Sequence, residues 1–100
     1  MITDNLIGKK VLVRAYEAGV YYGTLLQVEG NVVILSNARN IWYWSGACSL
    51  MELSLRGAKN KDNCKFSVIV DEITILNVCE ILPCTEEAIT NIESVSVWKY

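Results

Sequence analysis

One hundred residues make a single domain, residues 1–100, with room for one hydrophobic core. The net charge of −2 and the pI near 5 argue against a general DNA- or RNA-binding protein, which needs a basic face, but leave room for a small anionic ligand. Because 52% of the residues are hydrophobic and only 20% are charged, we expect exposed apolar surface to be covered in a homo-oligomer.

The first third of the chain predicts three strands joined by tight turns. β-Branched and apolar side chains concentrate in three segments, at residues 9–16, 20–28 and 32–36. Turn-forming residues separate these segments, at 17–19 and at 29–31. Gly23 lies inside the second segment, where a glycine typically marks a bend or a bulge. A bent second strand allows such a meander to close on itself.

Two strings in this region, Gly23-Thr-Leu-Leu-Gln-Val28 and Gly30-Asn-Val-Val-Ile-Leu35, resemble the first half of an Sm-like or SH3-like small barrel. The resemblance implies a mainly β fold of the β-rich α+β class. We expect either a small barrel of this kind or a strongly bent antiparallel sheet, with one inserted helix and a short C-terminal helix. The RNA-binding positions of the Sm family have no counterpart in the second half, so the resemblance does not imply RNA binding.

The middle of the chain predicts a break, a short strand and a helix. Residues 37–40 interrupt the strand pattern, and residues 41–44 predict a fourth strand. The spacing becomes helical over residues 47–56, and Gly57 is a typical helix stop. Four apolar side chains share one side of this helix, Ala47, Leu50, Met51 and Leu55, and Leu53 flanks them. Residues 58–63 predict a solvated, mobile loop.

The remaining chain predicts two more strands, at residues 65–70 and 72–82. The second is apolar on both faces, which indicates a central strand, a covering helix or a partner subunit. Thr85 is a typical N-cap for a short helix whose first turn is acidic. Residues 95–98 predict a final edge strand.

The densest chemistry lies between Arg39 and Ala47, where aromatic residues precede a small-residue stretch that predicts a helix start. If a nucleotide binds here, an indole stacks on its base, Arg39 pairs with a phosphate, and backbone N–H groups after Ser45 hold a phosphate. The candidate ligand-binding residues are Arg39, Trp42, Tyr43, Trp44, Ser45, Gly46 and Ala47, together with Arg14 and Tyr22 from the first hairpin.

These aromatic residues have a second interpretation. Side chains alternate along a strand, so Trp42 and Trp44 would share one face, and aromatic residues at this spacing also suit a packed core. The first hairpin carries Tyr16, Tyr21 and Tyr22. They predict either an interface patch or part of the same pocket contributed by a neighbouring subunit.

Neither a metal nor a cofactor is expected. The chain has no histidine, and none of its cysteines forms a Cys-x-x-Cys pair: Cys48, Cys64, Cys79 and Cys84. We expect these cysteines to be small buried hydrophobic residues without disulfides. The missing histidine also removes the commonest general base and the Ser–His and Cys–His nucleophile pairs, so we do not expect an enzyme.

Several strings along the chain resemble a family of small, functionally unassigned proteins encoded by bacteriophages and prophages. They are Val11-Leu-Val-Arg14, Gly19-Val-Tyr-Tyr-Gly23, Ser36-Asn-Ala-Arg39, Ile41-Trp-Tyr-Trp-Ser-Gly-Ala47, Asn63-Cys-Lys-Phe66, Glu80-Ile-Leu-Pro-Cys-Thr-Glu86 and Val97-Trp-Lys99. The resemblance implies a phage protein that works in the cytoplasm of the infected bacterial host. The absence of a long apolar run and of a basic, hydrophobic leader agrees with this expectation, so no membrane partner is expected.

Small, non-catalytic, oligomeric phage proteins include sponges that sequester the nucleotide signals of bacterial immunity. By that analogy we expect an anti-defence sponge that binds a cyclic oligonucleotide or an ADP-ribose derivative. The alternative is a protein-interaction module that docks a host or phage protein through the same aromatic residues.

Overall fold

Apolar runs separated by turn residues build a mainly β fold with two short helices, which confirms the predicted class. The computed structural model describes residues 1–99. Its strands are β1 (Lys10–Ala15), β2 (Gly19–Glu29), β3 (Val32–Tyr43), β4 (Lys65–Phe66), β5 (Val70–Ile75) and β6 (Val78–Pro83). Its helices are α1 (Leu50–Arg56) and α2 (Glu86–Ser94), with 3-10 turns at Ile2–Leu6 and Lys61–Asn63. No helix in residues 1–99 is long and apolar enough to cross a membrane.

The strands form one antiparallel sheet in the order β4-β3-β2-β1-β6, and β5 also pairs with β3. Strand β3 is long enough to hold two partners on one edge. Val33 lies opposite Ile75 of β5, and Ile41 lies opposite Phe66 of β4. Within residues 1–99 no ladder joins β5 to β6, so of the two predicted forms the structure has the bent sheet, not a closed barrel.

The predicted bend at Gly23 is present in β2. The register between β2 and β3 shifts between Tyr22 and Thr24, and it shifts again between Leu25 and Gln27. A Cβ at position 23 would lie 3.0 Å from the Cβ of Ala38 and from a backbone carbonyl oxygen of β3. The glycine therefore permits the close approach of the two strands at the bulge.

The doubly buried strand is β1, not the segment 72–82 for which the sequence predicted it. Leu12 faces a core beneath the two helices, while Val11 and Val13 face a second core on the other side of the sheet. Segment 72–82 is interrupted by a turn, in which Asn77 takes a φ of +58° and Leu76 is exposed. It therefore divides into the end of β5 and most of β6.

Three further segments differ from the predictions. The expected break at 37–40 is absent: Asn37 takes a φ of +49°, but pairing with β2 and β5 keeps the strand continuous to Tyr43. The strand predicted at 65–70 is reduced to the two residues of β4, and the edge strand predicted at 95–98 is reduced to a single bridge between Phe66 and Val97.

Helix α1 starts at Leu50, not at Ala47, because Ser49 caps it. The Ser49 side chain accepts a hydrogen bond from the backbone N–H of Glu52, and the helix stops at Gly57 as predicted. Its buried residues are Leu53 and Ser54, whereas the predicted apolar side includes two residues that are exposed, Met51 and Leu55. The predicted cap of α2 is confirmed, since the Thr85 side chain accepts from the N–H of Ala88.

The cysteines are free, but only part of the prediction about their burial holds. Cys64 is buried and Cys84 is half-buried, whereas Cys48 and Cys79 are exposed. Burial raises the pKa of the Cys84 thiol to about 12.

Gly46→Ala should destabilise the fold much more than Gly30→Ala. Both glycines have positive φ, but a Cβ at position 46 would lie 2.6 Å from the backbone nitrogens of Lys59 and Asn60, whereas position 30 is open. We expect a loss of roughly 2–4 kcal/mol for Gly46→Ala from strain and overpacking, and about 1 kcal/mol for Gly30→Ala. Urea unfolding measures both, and equal losses would contradict the close approach at Gly46.

Candidate functional site

Arg39 is buried and holds backbone carbonyl groups. Its side chain is only 2% exposed. Nε and Nη2 donate to the carbonyl oxygen of Ser67 at 3.1 and 3.0 Å, and Nη1 donates to those of Ile92 and Val95 at 3.1 and 2.9 Å. The guanidinium also lies 5.1 Å from the centroid of the Phe66 ring. The guanidinium N–H groups therefore already donate to backbone carbonyls, and the group is not exposed for binding a phosphate.

The environment of Arg39 compensates its charge. Burial lowers the pKa of the guanidinium, and the nearby Tyr22 opposes this effect. The carbonyl groups of Ile92 and Val95 lie at the C-terminal end of α2, where the helix dipole favours a cation. Arg39 thus joins β3, the segment after β4 and the end of α2.

The small-residue stretch before α1 is not an open anion site. The N–H of Cys48 donates to the carboxylate of Glu52 at 2.6 Å, so one of the three N–H groups expected to hold a phosphate, those of Gly46, Ala47 and Cys48, already has an anionic partner. The carbonyls of Ser45 and Gly46 accept hydrogen bonds from the N–H groups of Asn60 and Lys59. Ser45, Gly46 and Ala47 therefore form a loop pinned to the segment after α1.

Trp42 and Trp44 do not share one face. Strand β3 ends at Tyr43, so the alternation of side chains does not continue to Trp44. Trp44 packs, partly buried, against the core beneath the helices. Trp42 is 50% exposed and Tyr43 is 51% exposed. The core interpretation therefore describes Trp44, and the surface interpretation describes Trp42.

The exposed aromatic residues meet side chains from two other parts of the chain. Lys65 lies opposite Tyr43 in the β3–β4 ladder, and its Nζ is 6.0 Å from the centroid of the Tyr43 ring. The same Nζ is 5.0 Å from the centroid of the Trp98 ring. The rings of Trp98 and Trp42 meet edge to face, with centroids 5.4 Å apart and an interplanar angle of 88°. We call Trp42, Tyr43, Lys65 and Trp98 the aromatic–lysine patch.

A surface pocket of about 330 Å³ adjoins this patch. Trp98 forms part of its wall, and the other lining residues are mainly polar or charged: Lys61, Asp62, Cys64, Ser94, Ser96, Val97 and Lys99. Two lysines and one aspartate thus lie beside Lys65. Lys61 donates a hydrogen bond to Ser94 at 3.1 Å. This end of the molecule therefore offers aromatic rings together with an excess of positive charge.

The candidate residues of the first hairpin lie in other environments. Arg14 forms an ion pair with Glu80 of β6. Tyr22 is buried, and its hydroxyl donates to the carboxylate of Glu93 at 2.6 Å. Burial and the Glu93 carboxylate raise the pKa of Tyr22. Neither residue belongs to the aromatic–lysine patch.

Sequence reasoning did not select Lys65 and Trp98 as site residues. Both occur in strings that carried the family resemblance, Asn63-Cys-Lys-Phe66 and Val97-Trp-Lys99. Lys65 reaches the end of β3 through the β3–β4 ladder, and Trp98 reaches it through the bridge between Phe66 and Val97, which joins segments 31 positions apart. Among residues 1–99 the structure holds no cluster of three or more His, Cys, Asp or Glu side chains that could bind a metal ion.

A family model described as a domain of unknown function (DUF6948) matches residues 8–92. No curated protein and no solved structure matches the chain. Trp42, Tyr43 and Lys65 lie inside the matched residues, and Trp98 lies after them.

Arg39→Met should destabilise the protein strongly. It would remove the guanidinium donors from the carbonyl oxygens of Ser67, Ile92 and Val95, of which the Ile92 oxygen keeps the N–H of Val95, at a cost of about 3 kcal/mol or more. Arg14→Met is the matched control, because Arg14 is exposed. The melting temperature of this variant should stay near that of the wild type. Thermal unfolding of both variants measures the effect, and a stable Arg39→Met protein would show that the guanidinium is not structural.

Glu93, whose carboxylate accepts hydrogen bonds from Lys10 and Tyr22, should make the free energy of unfolding fall in acid. Burial favours the neutral form of Glu93, but hydrogen bonds from Lys10 and Tyr22 outweigh it and hold its pKa below the ordinary value. The folded state therefore binds this proton less tightly than the unfolded state, so stability is full above pH ~4.5 and falls as the pH drops through the lowered pKa. Glu93→Gln should flatten this acid dependence in urea unfolding series. An unchanged pH profile would contradict the assignment.

Proposed function

We propose that the chain, which belongs to this family of unknown function (DUF6948), is a non-catalytic binding protein that captures an anionic ligand of the nucleotide class. The aromatic–lysine patch would bind the ligand. The observation that carries the proposal is the meeting of Trp42, Tyr43, Lys65 and Trp98, which come from three separate segments.

The chemistry of the patch suits a nucleotide. The half-exposed rings of Trp42 and Tyr43 offer flat surfaces on which a base can stack, an interaction worth roughly 1–3 kcal/mol for each base. Lys65 supplies a cation beside these rings, and Lys61 and Lys99 line the adjoining pocket. The anion partners are therefore lysines, which replace Arg39 and the helix start in the hypothesis drawn from the sequence.

The resemblance to phage-encoded proteins supports a role for this binding during infection of a bacterium. A protein that binds a nucleotide without converting it acts as a sponge, and it lowers the free concentration of the signal. We propose that the chain sequesters a nucleotide signal of bacterial immunity, such as a cyclic oligonucleotide or an ADP-ribose derivative, in the cytoplasm of the infected host.

The same surface supports a second candidate, docking of a host or phage protein. Tryptophan and tyrosine are enriched at protein interfaces and at their energetic hot spots. Trp42 and Tyr43 are exposed next to each other at the end of β3, where a partner could cover both. The two candidate functions predict different ligands: a nucleotide changes the tryptophan fluorescence in the first, and a partner protein changes it in the second.

A panel of cyclic dinucleotides, cyclic trinucleotides and ADP-ribose derivatives should contain a ligand that changes the tryptophan fluorescence. Lys65→Gln should weaken its binding by about tenfold or more, because a charge-assisted contact is lost. Trp42→Ala should weaken binding by a similar factor while leaving the melting temperature nearly unchanged, because the side chain is half exposed.

Lys9→Gln is the matched control, since Lys9 is an exposed lysine just before β1, remote in sequence from the patch and not among its contacts. It should bind as the wild type does. If no member of the panel changes the fluorescence or the melting temperature, the nucleotide proposal fails and protein docking becomes the leading function. Conversion of the bound nucleotide with turnover, detected by chromatography, would show that the protein is an enzyme.

A further inference from the structure

Strand β5 forms an edge of the sheet. It pairs with β3 on one side, and the chain then turns through Leu76 and Asn77 into β6, which runs along β1 instead of returning along β5. Within residues 1–99 the second side of β5 therefore has no ladder. An exposed edge offers a row of backbone donors and acceptors to another strand.

Several of the devices that usually protect an edge are missing from β5, whose charged residues are Asp71 and Glu72. It contains no proline and no lysine, and its ladder with β3 has a constant register without a bulge. The other end of the sheet differs, because β6 ends in Pro83 and carries the ion pair between Glu80 and Arg14.

Exposed apolar residues lie at both ends of β5. Val68, Ile69 and Val70 are exposed where the strand begins, and Leu76 is 58% exposed where it ends. An antiparallel pair brings the beginning of one strand to the end of the other. A second copy of β5, related by a two-fold axis, would therefore meet apolar surface with apolar surface at both ends.

The acidic residues of β5 restrict the register of such a pair. Registers that place Asp71 or Glu72 opposite an acidic residue of the second copy are unfavourable, because like charges directly opposite each other destabilise a sheet. A pair centred on Ile73 avoids this. It places Val70 opposite Leu76 of the second copy, Glu72 opposite its Thr74, and the exposed Asp71 opposite its Ile75.

We propose that the protein forms a two-fold symmetric homodimer in which the β5 edges of two copies pair antiparallel, with Ile73 at the axis. The two sheets then become one continuous sheet. The composition agrees with this arrangement, because 52% of the residues are hydrophobic and the net charge of −2 is small. The proposal does not depend on the ligand of the aromatic–lysine patch.

The test is the mass of the full chain in solution, measured by analytical ultracentrifugation over a range of concentrations. The wild type should have twice the monomer mass of 11.2 kDa. Val70→Lys and Leu76→Glu should each raise the dimer dissociation constant by roughly tenfold or more, because each buries a charge opposite an apolar residue at two symmetric positions.

The double variant Val70→Lys/Leu76→Glu should restore the dimer, because opposite charges then face each other twice across the interface. Leu26→Lys is the matched control, since Leu26 is an exposed apolar residue of β2 and its substitution should leave the dimer intact. Circular dichroism checks that every variant is folded. A wild type that remains at 11.2 kDa overturns the proposal. It is also overturned if the single variants dimerise as the control does, or if the double variant is no better than the single ones.

Discussion

The rest of the structure depends on the hydrogen bonds that the buried guanidinium of Arg39 donates to backbone carbonyl groups. A cation removed from water is costly unless its N–H groups find acceptors, and here they find the carbonyls of Ser67, Ile92 and Val95. These three carbonyls belong to the segment after β4 and to the end of α2. One side chain of β3 therefore fixes where α2 ends and how the chain leaves it. That exit leads to the bridge of Val97 with Phe66 and so to the position of Trp98.

The parts of the fold that could be predicted from the sequence are those set by local chemistry. The first two turns, the bend at Gly23 and the helix stop at Gly57 use the conformational freedom and small size of glycine, and the cap at Thr85 uses a hydroxyl that accepts a backbone N–H. The strand boundaries after residue 36 could not be predicted in this way, because they depend on partners distant in sequence. Asn37 resembles a strand breaker, yet two neighbouring strands hold the chain extended around its positive φ.

The candidate site shows the same division. The density of aromatic residues around Trp42 directs attention to the end of β3, since density is a local property. The role of Arg39 could not be read from that density, because an arginine next to tryptophans looks the same in sequence whether it faces solvent or the carbonyls of a helix end. Lys65 and Trp98 reach Trp42 through the long-range pairing of β4 and the bridge at Val97, so no local pattern places them there.

Strand β3 also relates the two proposed surfaces to each other. Its residues from Val33 to Ala38 pair with β5, and its residues from Ile41 to Tyr43 pair with β4 and carry the patch. The β5 strand whose free edge would pair in the dimer therefore lies against a different part of β3 from the part that presents Trp42 and Tyr43. A dimer built in this way would carry two aromatic–lysine patches. Two linked sites favour a ligand that has two aromatic, anionic ends, because the second contact becomes intramolecular once the first has formed. The size of that gain depends on whether the separation of the two patches matches the span of the ligand, so dimer geometry would select among nucleotides.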